Sequence, residues 1–91
     1  MPSTHSVSIC TNWEGGAGDS VNWTSVPTSC TSANPCSISQ DGTKTWPFTA
    51  SSPISIPSTT NFTLKSDLVT GQTYYYNVSC CSTHSVTITG K

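Results

Sequence analysis

The sequence contains no arginine, one glutamate, two leucines and three alanines in 91 residues. Strong helix formers are nearly missing, which excludes a helical bundle, a coiled coil and a helical repeat. No apolar run approaches the roughly 18 residues that a membrane-spanning helix requires, so membrane insertion is not expected. Charge is also scarce, since three lysines against four acidic residues leave a net charge of −1. Nothing here clusters Lys and Arg against phosphates, so no nucleic-acid partner is expected. There is no C-x2-C pair for zinc. His5 and His84 lie near opposite ends of the chain, and a metal site built on them would need a third ligand, with Cys81 the thiol on offer. No metal and no cofactor are expected. A G-x-S-x-G nucleophile elbow is also missing. The acids Glu14, Asp19, Asp41 and Asp67 each fall in or beside a turn-like segment, where carboxylates bond their own backbone. The chain is not expected to be an enzyme.

What is abundant is hydroxyl: 17 Ser and 16 Thr, with 11 Val and Ile. Side chains that are stiff at χ1 suit a pleated sheet. A chain this short buries about 60–65% of the surface its unfolded form exposes and needs further stabilisation. Five cysteines supply it, as disulfides stabilise by roughly 2–4 kcal/mol each. Disulfides persist in oxidising compartments, so the expected location is extracellular. Met1-Pro-Ser-Thr has neither a basic start nor an apolar stretch, so the expected form is a secreted protein without its export signal. Asn22-Trp23-Thr24, Asn61-Phe62-Thr63 and Asn77-Val78-Ser79 match the N-glycosylation pattern, a mild excess for a chain so rich in Ser and Thr.

Patterning points to a single domain over residues 1–91, a small two-sheet β-sandwich of six or seven strands. Ser6 to Cys10 alternates polar and apolar, and Glu14 to Asp19 then breaks regular structure. Ser20 to Ser25 is a second strand with Val21, Trp23 and Ser25 on one face. Pro27 to Pro35 is a loop. Ser37-Ile38-Ser39 and Lys44-Thr45-Trp46 flank Gln40-Asp41-Gly42-Thr43, where Asp-Gly signals a hairpin. Pro47, Pro53 and Pro57 keep the next stretch extended but outside a central strand. Strand character resumes at Asn61 to Leu64, at Gln72 to Cys80, the longest run, and at Ser85 to Thr89. Ser3 to Ile9 nearly repeats as Ser82 to Ile88, and parallel pairing of the terminal strands would bring His5 to face His84.

From Leu68 the run Leu68-Val69-Thr70-Gly71-Gln72-Thr73-Tyr74-Tyr75-Tyr76-Asn77-Val78 resembles the corner of fibronectin type III domains, with Thr70 where a proline is usual. The resemblance implies that Tyr74 is the corner residue, its hydroxyl bonded back to the preceding turn and its ring inward, with Tyr76 and Val78 on the same face. The order Cys10, Trp23, Cys80 is similar to the Cys…Trp…Cys pattern of immunoglobulin domains, although Tyr74 precedes Cys80 by six residues and Val7 and Ile9 share a face that Cys10 does not. Both resemblances imply an immunoglobulin-like or fibronectin-like sandwich and carry no activity. For the cysteines, Cys30 and Cys36 enclose an easily closed loop, while Cys80 and Cys81 point to opposite faces of an extended strand. The favoured pairing is Cys30–Cys36 with Cys10 joined to Cys80 or Cys81, leaving a free thiol or an interchain link.

Function is expected to be binding. Trp23 reads as core, whereas Trp13 beside the Gly-rich run and Trp46 before Pro47 read as exposed rings, near Asn12 and Asp41. Flat aromatics beside amide, hydroxyl and carboxylate groups suit a pyranose, so a carbohydrate or cell-surface ligand is expected, through a lectin-like or adhesion module. The alternative is a small secreted cysteine-rich effector, elicitor or inhibitor acting on a protein, through an apolar patch or the Thr28–Pro35 loop.

Overall fold

Alternation decides the architecture strand by strand. In the computed structural model, which describes residues 3–90, the strands are β1 (Thr4–Ser8), β2 (Trp13–Gly15), β3 (Ser20–Thr24), β4 (Cys36–Gln40), β5 (Ile54–Ile56), β6 (Asn61–Thr63), β7 (Thr73–Val78) and β8 (Thr83–Ile88). They form a three-stranded sheet in the order β1-β3-β6 and a five-stranded sheet in the order β2-β8-β7-β4-β5. The chain is thus all-β, a small two-sheet sandwich with two disulfides and eight strands among the described residues rather than six or seven.

On β3, Val21 and Trp23 are buried and Asn22 is exposed. On β4 the buried positions are Cys36 and Ile38, on β7 Tyr76 and Val78, and on β8 Val86 and Ile88. Phe62, Ile54 and Ile56 complete the interior from the shorter strands. Each such side chain contributes about 1.5–3 kcal/mol through removal from water. Aromatic rings dominate the centre: Trp23 meets Trp13, Phe48 and Phe62 edge-on at 5.7–6.3 Å between centroids. Outside, the three-stranded sheet presents hydroxyls and amides in rows, with Thr4, Ser20 and Thr63 in one row and Ser6, Asn22 and Asn61 in the next.

Several expectations are corrected. The first strand covers Thr4–Ser8, so Cys10 follows it. Within the Gly-rich run, Trp13–Gly15 is a strand, because it pairs in parallel with β8 from the far end of the chain. The Asp41-Gly42 turn forms, with Gly42 at φ +59°. It closes no hairpin, since β4 pairs with β5 and β7 instead of Lys44-Thr45-Trp46. β5, between Pro53 and Pro57, is an edge strand, which suits residues flanked by proline. The terminal strands lie in different sheets, so the echo between them does not pair His5 with His84.

The bridges are Cys10–Cys81 and Cys36–Cys80, and Cys30 is the free cysteine among the described residues. Cys30–Cys36 is not formed because the Cys36 side chain turns inward with Ile38, while the Cys30 sulfur lies against the Cys36 backbone N–H at 2.8 Å. The corner at Tyr74 follows the expectation. Its hydroxyl accepts the Val69 N–H at 3.0 Å, and its half-buried ring packs on the core with Tyr76 and Val78.

Candidate functional site

Both tryptophans proposed as ligand platforms belong to the core. Trp13 is 9% exposed, and its indole N–H donates to the buried Tyr76 hydroxyl at 3.0 Å. Its ring lies so close over Gly15 that a Cβ there would come within 2.8 Å of it, so this glycine serves close packing rather than a loop. Burial pushes the Tyr76 phenol well above its usual range, against the smaller opposing effect of the Trp13 hydrogen bond. Trp46 is 7% exposed; its N–H donates to the Ala50 carbonyl at 2.6 Å and its ring packs on Phe48. Pro47 is itself buried, so the chain after Trp46 dives inward instead of skirting the edge.

Asn12 is exposed, but its side-chain oxygen is committed to the His84 ring and to the Ser85 N–H, both at 3.1 Å. Asp41 pairs with Lys44 at 3.2 Å. Asn12 and Asp41 are therefore engaged separately, and neither joins a tryptophan at the surface.

The exposed aromatic surface lies at Tyr75. Alternation on β7 turns Tyr74 and Tyr76 inward and Tyr75 outward, leaving it 41% exposed. A shallow groove of about 360 Å³ runs beside it, lined by Thr43, Lys44 and Thr45 from the turn after β4, by Gln72 just before β7 and by Thr73 and Tyr74 at the start of β7. The Lys44 ammonium sits 4.9 Å from the centre of the Tyr75 ring, covering one face. Through Lys44, Asp41 adjoins this groove. The groove thus offers hydroxyls, an amide, an ammonium and an aromatic ring. The signal for it was the outward parity of the middle tyrosine in Tyr74-Tyr75-Tyr76.

Two further clusters join distant parts of the chain. The buried Asp19 carboxylate accepts the Ser3 and Gly16 N–H groups at 3.0 and 2.9 Å and faces His5 Nε2 at 2.9 Å, tying β1 to the turn before β3. The sulfurs of Cys10, Cys80 and Cys81 lie within 4.8 Å of one another, a spacing that metals use. All three are oxidised in the bridges, whereas a metal requires thiolates. Among the sequons, Asn22 and Asn61 are exposed partners across β3 and β6. Asn77 is half-buried; its amide donates to the Gln40 carbonyl at 3.4 Å and its oxygen accepts from Thr83 at 2.6 Å.

No family model matches the chain, and no curated protein or solved structure shows significant similarity to it.

Proposed function

We propose that this is a secreted, non-enzymatic binding protein that recognises carbohydrate through the groove beside Tyr75. One observation carries the reading: the exposed Tyr75 ring borders a groove lined by Thr43, Thr45, Gln72, Thr73 and Lys44. The exposed part of the ring suits the apolar side of a pyranose, and the hydroxyl and amide groups suit its edges. Lys44 favours a sugar that carries a carboxylate or sulfate. A protein hot spot would need a contiguous apolar patch, yet Val69 and Tyr75 are the large hydrophobics exposed among the described residues. Two disulfides in so small a chain support secretion. In a glycosylating host, Asn22 and Asn61 would be the positions modified.

The test is a glycan array that includes uronic and sulfated sugars, followed by titration of the best binder. Tyr75→Ala is expected to weaken binding at least tenfold, about 1.4 kcal/mol, with the melting temperature nearly unchanged. Absence of glycan binding, or full binding by that variant, overturns the reading. The second reading, an effector or inhibitor acting on a protein, is favoured by one feature. In the loop between β3 and β4, Thr28, Ser29 and Thr31 to Pro35 are all exposed.

A further inference from the structure

The five cysteine sulfurs lie in one neighbourhood, although they come from four parts of the chain. Cys30 is half-buried, and its thiol donates to the Ile56 carbonyl while accepting the Cys36 N–H, both at 2.8 Å. With Cys30 held against the Cys36 backbone, covalent geometry keeps the two sulfurs within about 7 Å. A pocket of about 260 Å³ opens onto both, bounded by Ser29, Asn34, Pro35 and Ser79, and Cys80 completes its wall. The free thiol therefore shares a solvent-accessible pocket with the Cys36–Cys80 bridge. Beyond that bridge stands the second, with the Cys80 sulfur inside 4.8 Å of Cys10 and Cys81.

We propose that this cluster is a thiol–disulfide exchange centre in which Cys30 is the attacking group. Cys30 loses its proton to water, and its thiolate attacks the Cys36 sulfur. The Cys30–Cys36 bond forms as the Cys36–Cys80 bond breaks, and Cys80 leaves as a thiolate that takes up a proton. One disulfide is exchanged for another, so no oxidant or reductant is consumed. The released Cys80 can repeat the step on Cys10, forming Cys10–Cys80 and delivering the thiol to Cys81 in the exposed turn between β7 and β8. The first step removes the staple between the start of β4 and the end of β7 and places it across the exposed loop from Thr31 to Pro35. Such a loop has only five residues between its cysteines, so its closure costs little chain entropy once the Cys36 side chain turns toward Cys30.

The experiment follows the free thiol in the native protein. Protein held in acid, then moved to mildly alkaline buffer without denaturant, is sampled over time, alkylated and mapped by mass spectrometry with fragmentation between Cys80 and Cys81. The label is expected on Cys30 at first, then increasingly on Cys80 and Cys81, with a Cys30–Cys36 cross-linked peptide appearing in step. The rate should not change over a tenfold range of protein concentration. Cys30→Ser should carry no label at any time. Should that variant fail to fold, wild-type protein blocked at Cys30 with a maleimide in acid should likewise show no exchange after the pH shift. A label that stays on Cys30 throughout, or a rate that rises in proportion to protein concentration, overturns the proposal.

Discussion

Three consecutive tyrosines give a graded test of the fold, because each Tyr→Phe change removes one oxygen from a different environment. At Tyr76 the hydroxyl is buried and accepts the Trp13 indole N–H at 3.0 Å. Its removal leaves that N–H in the core without a partner, which costs about 1–3 kcal/mol. At Tyr74 the hydroxyl accepts the Val69 N–H, but Val69 is 57% exposed and water can replace the lost acceptor. The cost there should be about 0.5–1 kcal/mol. Tyr75 points outward, and its change to Phe should leave stability within about 0.5 kcal/mol of wild type. For a chain of this size about 1 kcal/mol moves Tm by roughly 4–8 °C, so Tyr76→Phe should lower it by about 8–16 °C for a loss near 2 kcal/mol. Urea unfolding followed by circular dichroism, with the disulfides intact, measures all three. Adding Trp13→Phe to Tyr76→Phe should cost less than the two single losses together, since no orphaned N–H remains. Equal losses at Tyr75 and Tyr76, or a larger loss at Tyr74 than at Tyr76, would refute the assigned strand faces and the buried hydrogen bond.

Burial disfavours the Tyr76 phenolate in the folded state, so its folded pKa lies above the unfolded value of about 10. The associated stability is complete below that pH and is lost as pH rises above it, by up to about 1.4 kcal/mol per pH unit. Urea titrations in alkali, on protein whose Cys30 has been blocked with a maleimide in acid so that the disulfides persist, should show this slope with Tyr76 present and a shallower one in Tyr76→Phe; identical slopes would refute it. Gly15→Ala should destabilise by about 1–3 kcal/mol, because its Cβ would press on the Trp13 ring, and a neutral result in thermal unfolding would contradict that packing. Asp19→Asn should cost about 1–3 kcal/mol, as its amide turns a donor toward backbone N–H groups or toward His5; denaturant midpoints decide. Partial reduction with stepwise alkylation of acid-trapped protein should recover Cys10–Cys81 and Cys36–Cys80 with Cys30 free, and a Cys30–Cys36 peptide in that sample would contradict the pairing.

The parts of the fold legible in the sequence are those set by neighbouring residues. Val21 and Trp23 against Asn22, or Tyr74 and Tyr76 against Tyr75, take their faces from a period of two, and the structure places them so. Pairing between distant segments is not written locally. β2 reads as loop because Gly15 and Gly16 follow Trp13, yet it is held by β8 some seventy residues on. Asp41-Gly42 makes its turn, but the strand beside β4 comes from Ile54–Ile56 rather than from Lys44–Trp46. The same holds for sulfur. Closeness in sequence favours Cys30–Cys36, whereas the direction of the Cys36 side chain gives that cysteine to Cys80.

The candidate site turns on how a small chain divides its aromatic residues between core and surface. With two leucines and one methionine in the sequence, the two-sheet interior is filled by Val and Ile together with aromatic rings. Trp13, Trp23, Trp46, Phe48, Phe62 and Tyr76 all lie in that interior, and Tyr74 is half-buried against it. Of eight aromatic residues, Tyr75 is the one left exposed. Burial of all three tryptophans is set by the packing of the whole core, which the residues next to each ring do not disclose. Flanking Gly or Pro at Trp13 and Trp46 describes only the local chain path, and at both positions the demand of the core outweighs it. Val69 and Tyr75 are then the large hydrophobics exposed among the described residues, amid many hydroxyls, and the proposed carbohydrate reading rests on that polar surface.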